Sequence, residues 1–341
     1  MQVFYSDTHK LHNPPFELFD GGQRMPYLEN PDRMERILSA LREKDWAEIR
    51  EPEDFGLDPI LAVHAADYVD FLRTAYEEWT QEVTTYEKTA LLPATFPPRG
   101  WSHRPKSTLG RAGYYTFDLS APIVNGTYRA ALGSVNCALN GAKVIADGGK
   151  AAFALCRPPG HHAGKSFSGG YCYFNNAAIT ANWLSALGKV AILDIDYHAG
   201  NGTQDIFYER SDVLTISIHA DPDSEYPAFS GYADETGAGQ GFGWHRNFPL
   251  PARTDDPHYL STVDKALNLI QSFAPKYLVL STGMDIYEGD PLGSFKVTRE
   301  GIHQIGEHIA SLKLQTLIVM EGGYNNEALG VNITTLLENF S

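Results

Sequence analysis

The 341-residue chain carries 42 acidic against 27 basic side chains, a formal net charge of −15, which excludes a general binder of nucleic-acid phosphates and favours cationic ligands. With 43% hydrophobic and 20% charged residues the composition fits a packed core and excludes a disordered chain. The length suits one large α/β domain or two ordinary ones.

In chain order, Val3 to Tyr5 read as a first short strand. The amino terminus lacks the apolar stretch of a secretory leader, and no run approaches a membrane span, so a cytoplasmic protein with no membrane or nucleic-acid partner is expected. A Pro-, Gly- and Asn-rich stretch follows and reads as a functional surface loop. Asn30 and Pro31 open a helix with the apolar stripe Met34, Ile37, Leu38 and Leu41. A second helix is expected from about Ala66 to Trp79. From about Gln81 to Arg111 periodicity is lost, and four prolines with aromatic and basic residues mark a long inserted loop that meets a partner. Helical patterning returns near Tyr128. Strands then alternate with helices: Ala151–Leu155, the run from Val190, Val213–Ile218, Tyr277–Ser281 and Thr316–Met320. That alternation predicts a mostly parallel sheet with helices on both faces, in one α/β domain, residues 1–341, with long active-site loops. The three cysteines, Cys137, Cys156 and Cys172, form no CxxC pair and read as reduced and buried.

The stretch VAILDIDYHAGNGTQDIFYE, 190–209, places Asp194, Asp196 and His198 at alternate positions after a buried apolar run. In an extended backbone these side chains would share one side, and buried carboxylates need a compensating cation. An exposed turn is the bland alternative, disfavoured by the density of acceptors at a strand's carboxyl end. Other strand ends supply His161-His162 after Pro-Pro-Gly, His219, Asp285, and Glu321 to Tyr324. Three ligands drawn from Asp196, His198 and Asp285 would leave an open coordination position, the form of a catalytic zinc site; Fe(II) accepts the same donors. No GxSxG elbow and no HExxH helix occurs.

CRPPGHHAG, GGYCYFNNAA, DIDYHAGNGTQDIFYE, the SIH strand end, STGMDIYEGDPLG and MEGGYN together resemble the zinc-dependent histone deacetylase family, of the arginase–deacetylase fold, and within it the bacterial acetylpolyamine amidohydrolases. The resemblance implies a Zn²⁺ held by Asp196, His198 and Asp285. It implies His162 as general base and acid, His161 as electrostatic partner oriented by Asp194, Asn201 facing His162, and Tyr324 as donor to the oxyanion. Gly170, Tyr171, Tyr226 and Leu292 would line the acyl tunnel. A structural potassium ion would sit around Asp194, Asp196, His198, Ser217 and Ile218. The resemblance also implies a homodimer contact in 81–111 and, as substrate, a small cationic acetylated amine such as acetylputrescine or acetylcadaverine.

The sequence departs from the family pattern at three places. Ala199 stands where many relatives carry a second histidine, and Asn201 replaces an aspartate, which should leave His162 less basic. Between His103 and Ala121, where the polyamine branch carries an acidic gate, the one carboxylate is Asp118, and Leu109 stands near the expected acid. Glu17 on the first long loop is a candidate substitute for substrate binding, and Asp20 lies beside it. Three other readings stay open: a deacetylase of acetyl-lysine in proteins, a non-catalytic sensor of acetylated ligands, and a two-manganese ureohydrolase.

Overall fold

The computed structural model describes residues 1–19, 22–83, 85, 87–98 and 103–341. The amino-terminal part contains β1 (Gln2–Phe4), the hairpin β2 (Glu17–Phe19) and β3 (Gln23–Met25), α1 (Asp32–Arg42), β4 (Glu48–Arg50), α2 (Asp58–Leu61) and α3 (Ala66–Glu82). Then come α4 (Thr108–Tyr114), α5 (Thr127–Ala146), β5 (Ala151–Ala154), α6 (Asn176–Ser185), β6 (Val190–Asp194), α7 (Asn201–Phe207) and β7 (Val213–Ala220). The chain closes with β8 (His245–Leu250), α8 (Asp256–Phe273), β9 (Tyr277–Thr282), α9 (Arg299–Ala310), β10 (Gln315–Met320) and α10 (Asn326–Leu337).

Eight strands form one sheet in the order β4-β1-β5-β10-β9-β6-β7-β8, and every pair is parallel. A parallel sheet needs cover on both faces, and the alternation of side chains along each strand supplies two apolar surfaces. Ala191 and Leu193 of β6, with Leu278 and Leu280 of β9, pack against stripes of α1, α8, α9 and α10. Val190, Ile192, Tyr277 and Val279 point the other way, into a core shared with α5, α6 and α7. A third cluster joins α3 and α4 to the far side of α5. Among the described residues no helix is long and apolar enough to cross a membrane, and the three cysteines are buried and unpaired.

Several expected boundaries shift. The strand that begins at Val190 stops at Asp194, and Asp196 to His198 lie on a bend, so the shared side of an extended strand is not what gathers them. The first carboxylate makes this bend: Asp194 Oδ1 accepts from the Asp196 N–H at 3.0 Å, and Asp196 Oδ1 accepts from the His198 N–H at 2.9 Å. The helix expected to end near Trp79 runs to Glu82. The segment expected as loop to Arg111 turns helical at Thr108, because Ser107 caps α4 and the Glu82 carboxylate accepts from the Thr108 N–H and hydroxyl. Asp20 and residues 84, 86 and 99–102 of the expected partner-contacting loop lie outside the described residues.

Candidate active site

Four strand ends, those of β5, β6, β9 and β10, converge on one edge of the sheet. After β5 the turn to His161 and His162 is held by Glu321 from the end of β10, whose Oε2 accepts from the Gly160 and His161 N–H groups at 2.7 and 3.2 Å. Glu321 is fully buried, and burial, opposed by the neighbouring His161, lifts its pKa to about 7. After β6 come Asp194, Asp196 and His198, and after β9 comes Asp285.

The Asp196, His198 and Asp285 donor atoms lie within 4.8 Å of one another. His198 Nδ1 stands 3.3 Å from Asp196 Oδ1 and 3.2 Å from Asp285 Oδ2. The outer oxygens are occupied: Asp196 Oδ2 accepts from the Gly322 N–H at 2.8 Å, and Asp285 Oδ1 from the Tyr197 N–H at 3.0 Å. Asp285 Oδ2 is buried with no hydrogen-bond partner. Such an orphan is costly unless a cation meets it, so these residues fit a divalent metal. Electrostatics point the same way. Burial, then the Asp196 charge, push the Asp285 pKa up to about 7. Burial opposes charge on His198, but the nearby Asp196 and Asp285 carboxylates outweigh that and lift its pKa to about 9. A second cluster, His161, Cys172 and Glu321, does not fit a metal. Its carboxylate is saturated by the two backbone groups and by the Ser281 hydroxyl at 3.1 Å, and the Cys172 thiol is turned to the Gly170 carbonyl.

The histidine pair is differentiated by its partners. His161 Nδ1 lies 3.0 Å from Asp194 Oδ2; burial opposes its charge, but Asp196 and Asp194 prevail and raise its pKa to about 10. His162 Nδ1 lies 2.7 Å from Asn201 Oδ1. Burial, with the neighbouring His161 and His198, drives its pKa well below the ordinary histidine value. Asn201 begins α7, which brings its amide under the ring.

Tyr324, 9% exposed, hangs from the Glu321–Asn325 segment. The buried Arg33 guanidinium lies 4.8 Å from its ring centroid and donates to the carbonyls of Gly323 at 2.6 Å and Glu321 at 2.8 Å. Glu29 neutralises that cation at 2.7 Å. No motif marks Arg33 in the sequence; the available signal is its register with Ile37 and Leu41 on the apolar stripe of α1, where an arginine needs a buried partner.

A cavity of about 560 Å³ opens over these groups, and His162, His198, Tyr324, Gly170, Tyr171, Tyr226 and Leu292 all line it. The Tyr226 ring stands edge-on to His162 at 5.0 Å. Gly170 has φ +51°, and a Cβ there would fall 2.2 Å from His162 Cδ2, so the close approach of backbone to imidazole requires glycine. The structure places Glu17 elsewhere than expected. It is buried behind the wall, with Oε1 accepting from the Leu28 N–H at 2.8 Å and Oε2 from the Tyr171 hydroxyl at 2.6 Å. It contacts Tyr171, not the cavity, because its β-hairpin turns that face inward. Asp118 is likewise behind the wall, accepting from the Gly170 N–H at 2.8 Å and the Tyr226 hydroxyl at 2.7 Å. Among the described lining residues the one carboxylate is Glu225, and there is no lysine or arginine. For the expected potassium site, Asp194 of β6 pairs in register with Ser217 of β7, and Ile218 follows it on the same strand.

A parallel α/β sheet with an acidic, histidine-rich centre at its carboxyl edge is an α/β protein with its chemistry at the strand ends. The histone deacetylase domain family matches residues 27–340. The chain is 45% identical over 343 residues to acetylpolyamine amidohydrolase 2 of Pseudomonas aeruginosa, covering 100% of this chain and 98% of that one. It is 43% identical over 341 residues to acetylpolyamine amidohydrolase of Mycoplana ramosa, covering 99% of each. The crystal structure of acetylpolyamine aminohydrolase from Burkholderia pseudomallei superposes with a TM-score of 0.95 at 40% identity, over 100% of this chain and 98% of the other. The chain belongs to the histone deacetylase family, a family of metal-dependent deacetylases.

Proposed function

We propose that this deacetylase removes acetyl groups from small cationic acetylamines, acetylpolyamines such as acetylputrescine and acetylcadaverine among them. The observation that carries the reading is the cavity, whose base presents His162, His198 and Tyr324 and whose described wall holds Glu225 with no opposing cation. The names of the full-length relatives support it.

Asp196, His198 and Asp285 would hold one Zn²⁺, and Fe²⁺ suits the same donors. Bound there, the ion supplies Lewis acidity, which polarises an amide carbonyl and acidifies the attacking water. The chain's own groups do the rest. The Asn201 amide oxygen accepts from His162 Nδ1, so Nε2 keeps a lone pair toward the cavity. His162 Nε2 takes the proton from water and returns it to the leaving amine. His161, held by Asp194, adds positive charge beside it. The Tyr324 hydroxyl, without a partner among the described residues, donates to the carbonyl oxygen as negative charge grows, an effect worth about 3 kcal/mol. Gly170, Tyr171, Tyr226 and Leu292 grip the acyl end. The reading also places a K⁺ at Asp194, Asp196, His198, Ser217 and Ile218, where burial raises the Asp194 pKa and a cation would relieve it.

The metal assignment is tested with Asp285→Ala and elemental analysis. The wild type should carry one transition metal per chain, and the variant should stay folded while losing metal and activity together. Two tightly bound transition metals in the wild type would favour the ureohydrolase reading. The same reading makes segment 81–111 a homodimer contact, which a monomer in sedimentation velocity contradicts. It puts the protein in the cytoplasm, in keeping with three free cysteines; cell fractionation is the check.

A further inference from the structure

Asp290 is a buried carboxylate that the chemistry above does not use, 7% exposed on the segment between β9 and α9. Its Oδ2 accepts from the Tyr324 N–H at 2.6 Å and the Asn325 N–H at 3.0 Å. Its Oδ1 accepts from the Leu292 N–H at 2.9 Å. One side chain thus ties the backbone of the candidate phenol donor to the backbone of a cavity-wall residue. Bonds from N–H to a carboxylate are charge-assisted and stronger than neutral ones.

Helix capping does not account for this arrangement. The cap of α10 is already provided by Asn325, whose own Oδ1 accepts from the Ala328 N–H at 3.1 Å. The need lies on the other side of Tyr324, where Gly322 and Gly323 precede it and Gly323 has φ +115°. Two glycines in succession leave the segment free to swing. Arg33 holds its carbonyls and Asp290 holds its N–H groups, so opposite charges grip opposite sides of the same short segment.

We propose that Asp290 is a positioning residue for deacetylation: it fixes the Tyr324 hydroxyl relative to the Leu292 wall, so that the donor meets the acyl oxygen only when the acyl group is seated. The inference rests on the role given to Tyr324 above. A displacement of about 1 Å at such a donor costs up to roughly 100-fold in rate.

The test is a double-mutant cycle on the metal-loaded full chain, with kcat and KM for acetylputrescine, metal content and Tm measured for wild type, Asp290→Asn, Tyr324→Phe and the double variant. Asp290→Asn should lower kcat at least about tenfold, leave KM within about threefold and keep the metal. In the Tyr324→Phe background the same substitution should cost less than about threefold, since the hydroxyl it positions is gone. Asp290→Glu keeps the charge while moving the oxygens; it should show a smaller kcat loss with the same dependence on Tyr324, and it carries the cycle if the asparagine variant does not fold. Equal losses in both backgrounds, a loss confined to KM, or unchanged kcat overturns the positioning role. If Tyr324→Phe alone keeps its kcat, the reading of Tyr324 falls and this inference with it. A large loss in Tyr324→Phe with none in either Asp290 variant removes this inference alone.

Discussion

His162 Nδ1 lies 2.7 Å from the amide oxygen of Asn201. An amide oxygen only accepts, so the pair fixes the proton on Nδ1 and leaves Nε2 basic; unlike a carboxylate, it adds no charge to stabilise the imidazolium. Burial and the neighbouring His161 and His198 lower the His162 pKa further.

A pH profile follows from that pair. The base works when unprotonated, so kcat/KM rises as pH climbs through the His162 pKa, and the acid limb should fall below the ordinary histidine range of about 6.5. Asn201→Asp puts an anion beside Nδ1, favours the protonated ring and should move the acid limb to higher pH. An acid limb unmoved by the substitution would separate His162 from the base role.

Substrate charge should be read at Glu225. This carboxylate lines the cavity and forms no ion pair among the described residues. It is partly exposed, so its attraction for a bound ammonium falls at the low end, about 1 kcal/mol, or about fivefold. Glu225→Gln should lower kcat/KM for acetylputrescine by that factor, leave neutral N-butylacetamide unchanged and flatten the salt dependence. Equal losses on both substrates would mean that Glu225 shapes the wall without reading charge. Glu17→Gln, by contrast, should affect both substrates alike, because its oxygens are engaged by Leu28 and Tyr171.

Most of the sheet was legible because its central strands are continuous apolar runs, and the helices between them dictated parallel pairing. The edges were not. Glu48–Arg50 is three residues long with two charges, and His245–Leu250 contains proline and arginine; both pair on one side only, where apolar patterning is not required. The acidic and histidine residues of the centre stood out because carboxylates and imidazoles ended buried strands. The groups that hold them did not: Asp118, Asp290 and Arg33 act through contacts 34 to 290 residues distant in sequence, and nothing local marks an aspartate that braces a backbone N–H. Asp118 stands out in the sequence as the one carboxylate between His103 and Ala121, but its hydrogen bonds to Gly170 and Tyr226 turn it away from the cavity.

Stability should fall in acid through buried neutral histidines. His64 Nδ1 bonds the Gly164 carbonyl at 2.8 Å and its Nε2 accepts from the Asn175 N–H at 3.0 Å. Burial lowers its pKa to about 4. Because the folded value lies below the unfolded one, its contribution is intact above about pH 6.5 and is lost as pH falls toward 4, up to about 3 kcal/mol. His64→Gln should lower stability at pH 7 and reduce the slope of unfolding free energy against pH between 6.5 and 4 by about one proton. Urea titrations giving parallel slopes for the two proteins would contradict this.

The central claim is deacetylation of small cationic acetylamines, and acetate release tests it most directly. Metal-loaded protein would be assayed at low ionic strength with acetylputrescine, acetylcadaverine, acetylspermidine, N-butylacetamide and an acetyl-lysine peptide. The acetylpolyamines should give the highest kcat/KM, exceeding the neutral amide and the peptide by at least about fivefold. A peptide cleaved as well as acetylputrescine would make this chain a protein deacetylase, and a preparation that binds these ligands without releasing acetate would make it a sensor.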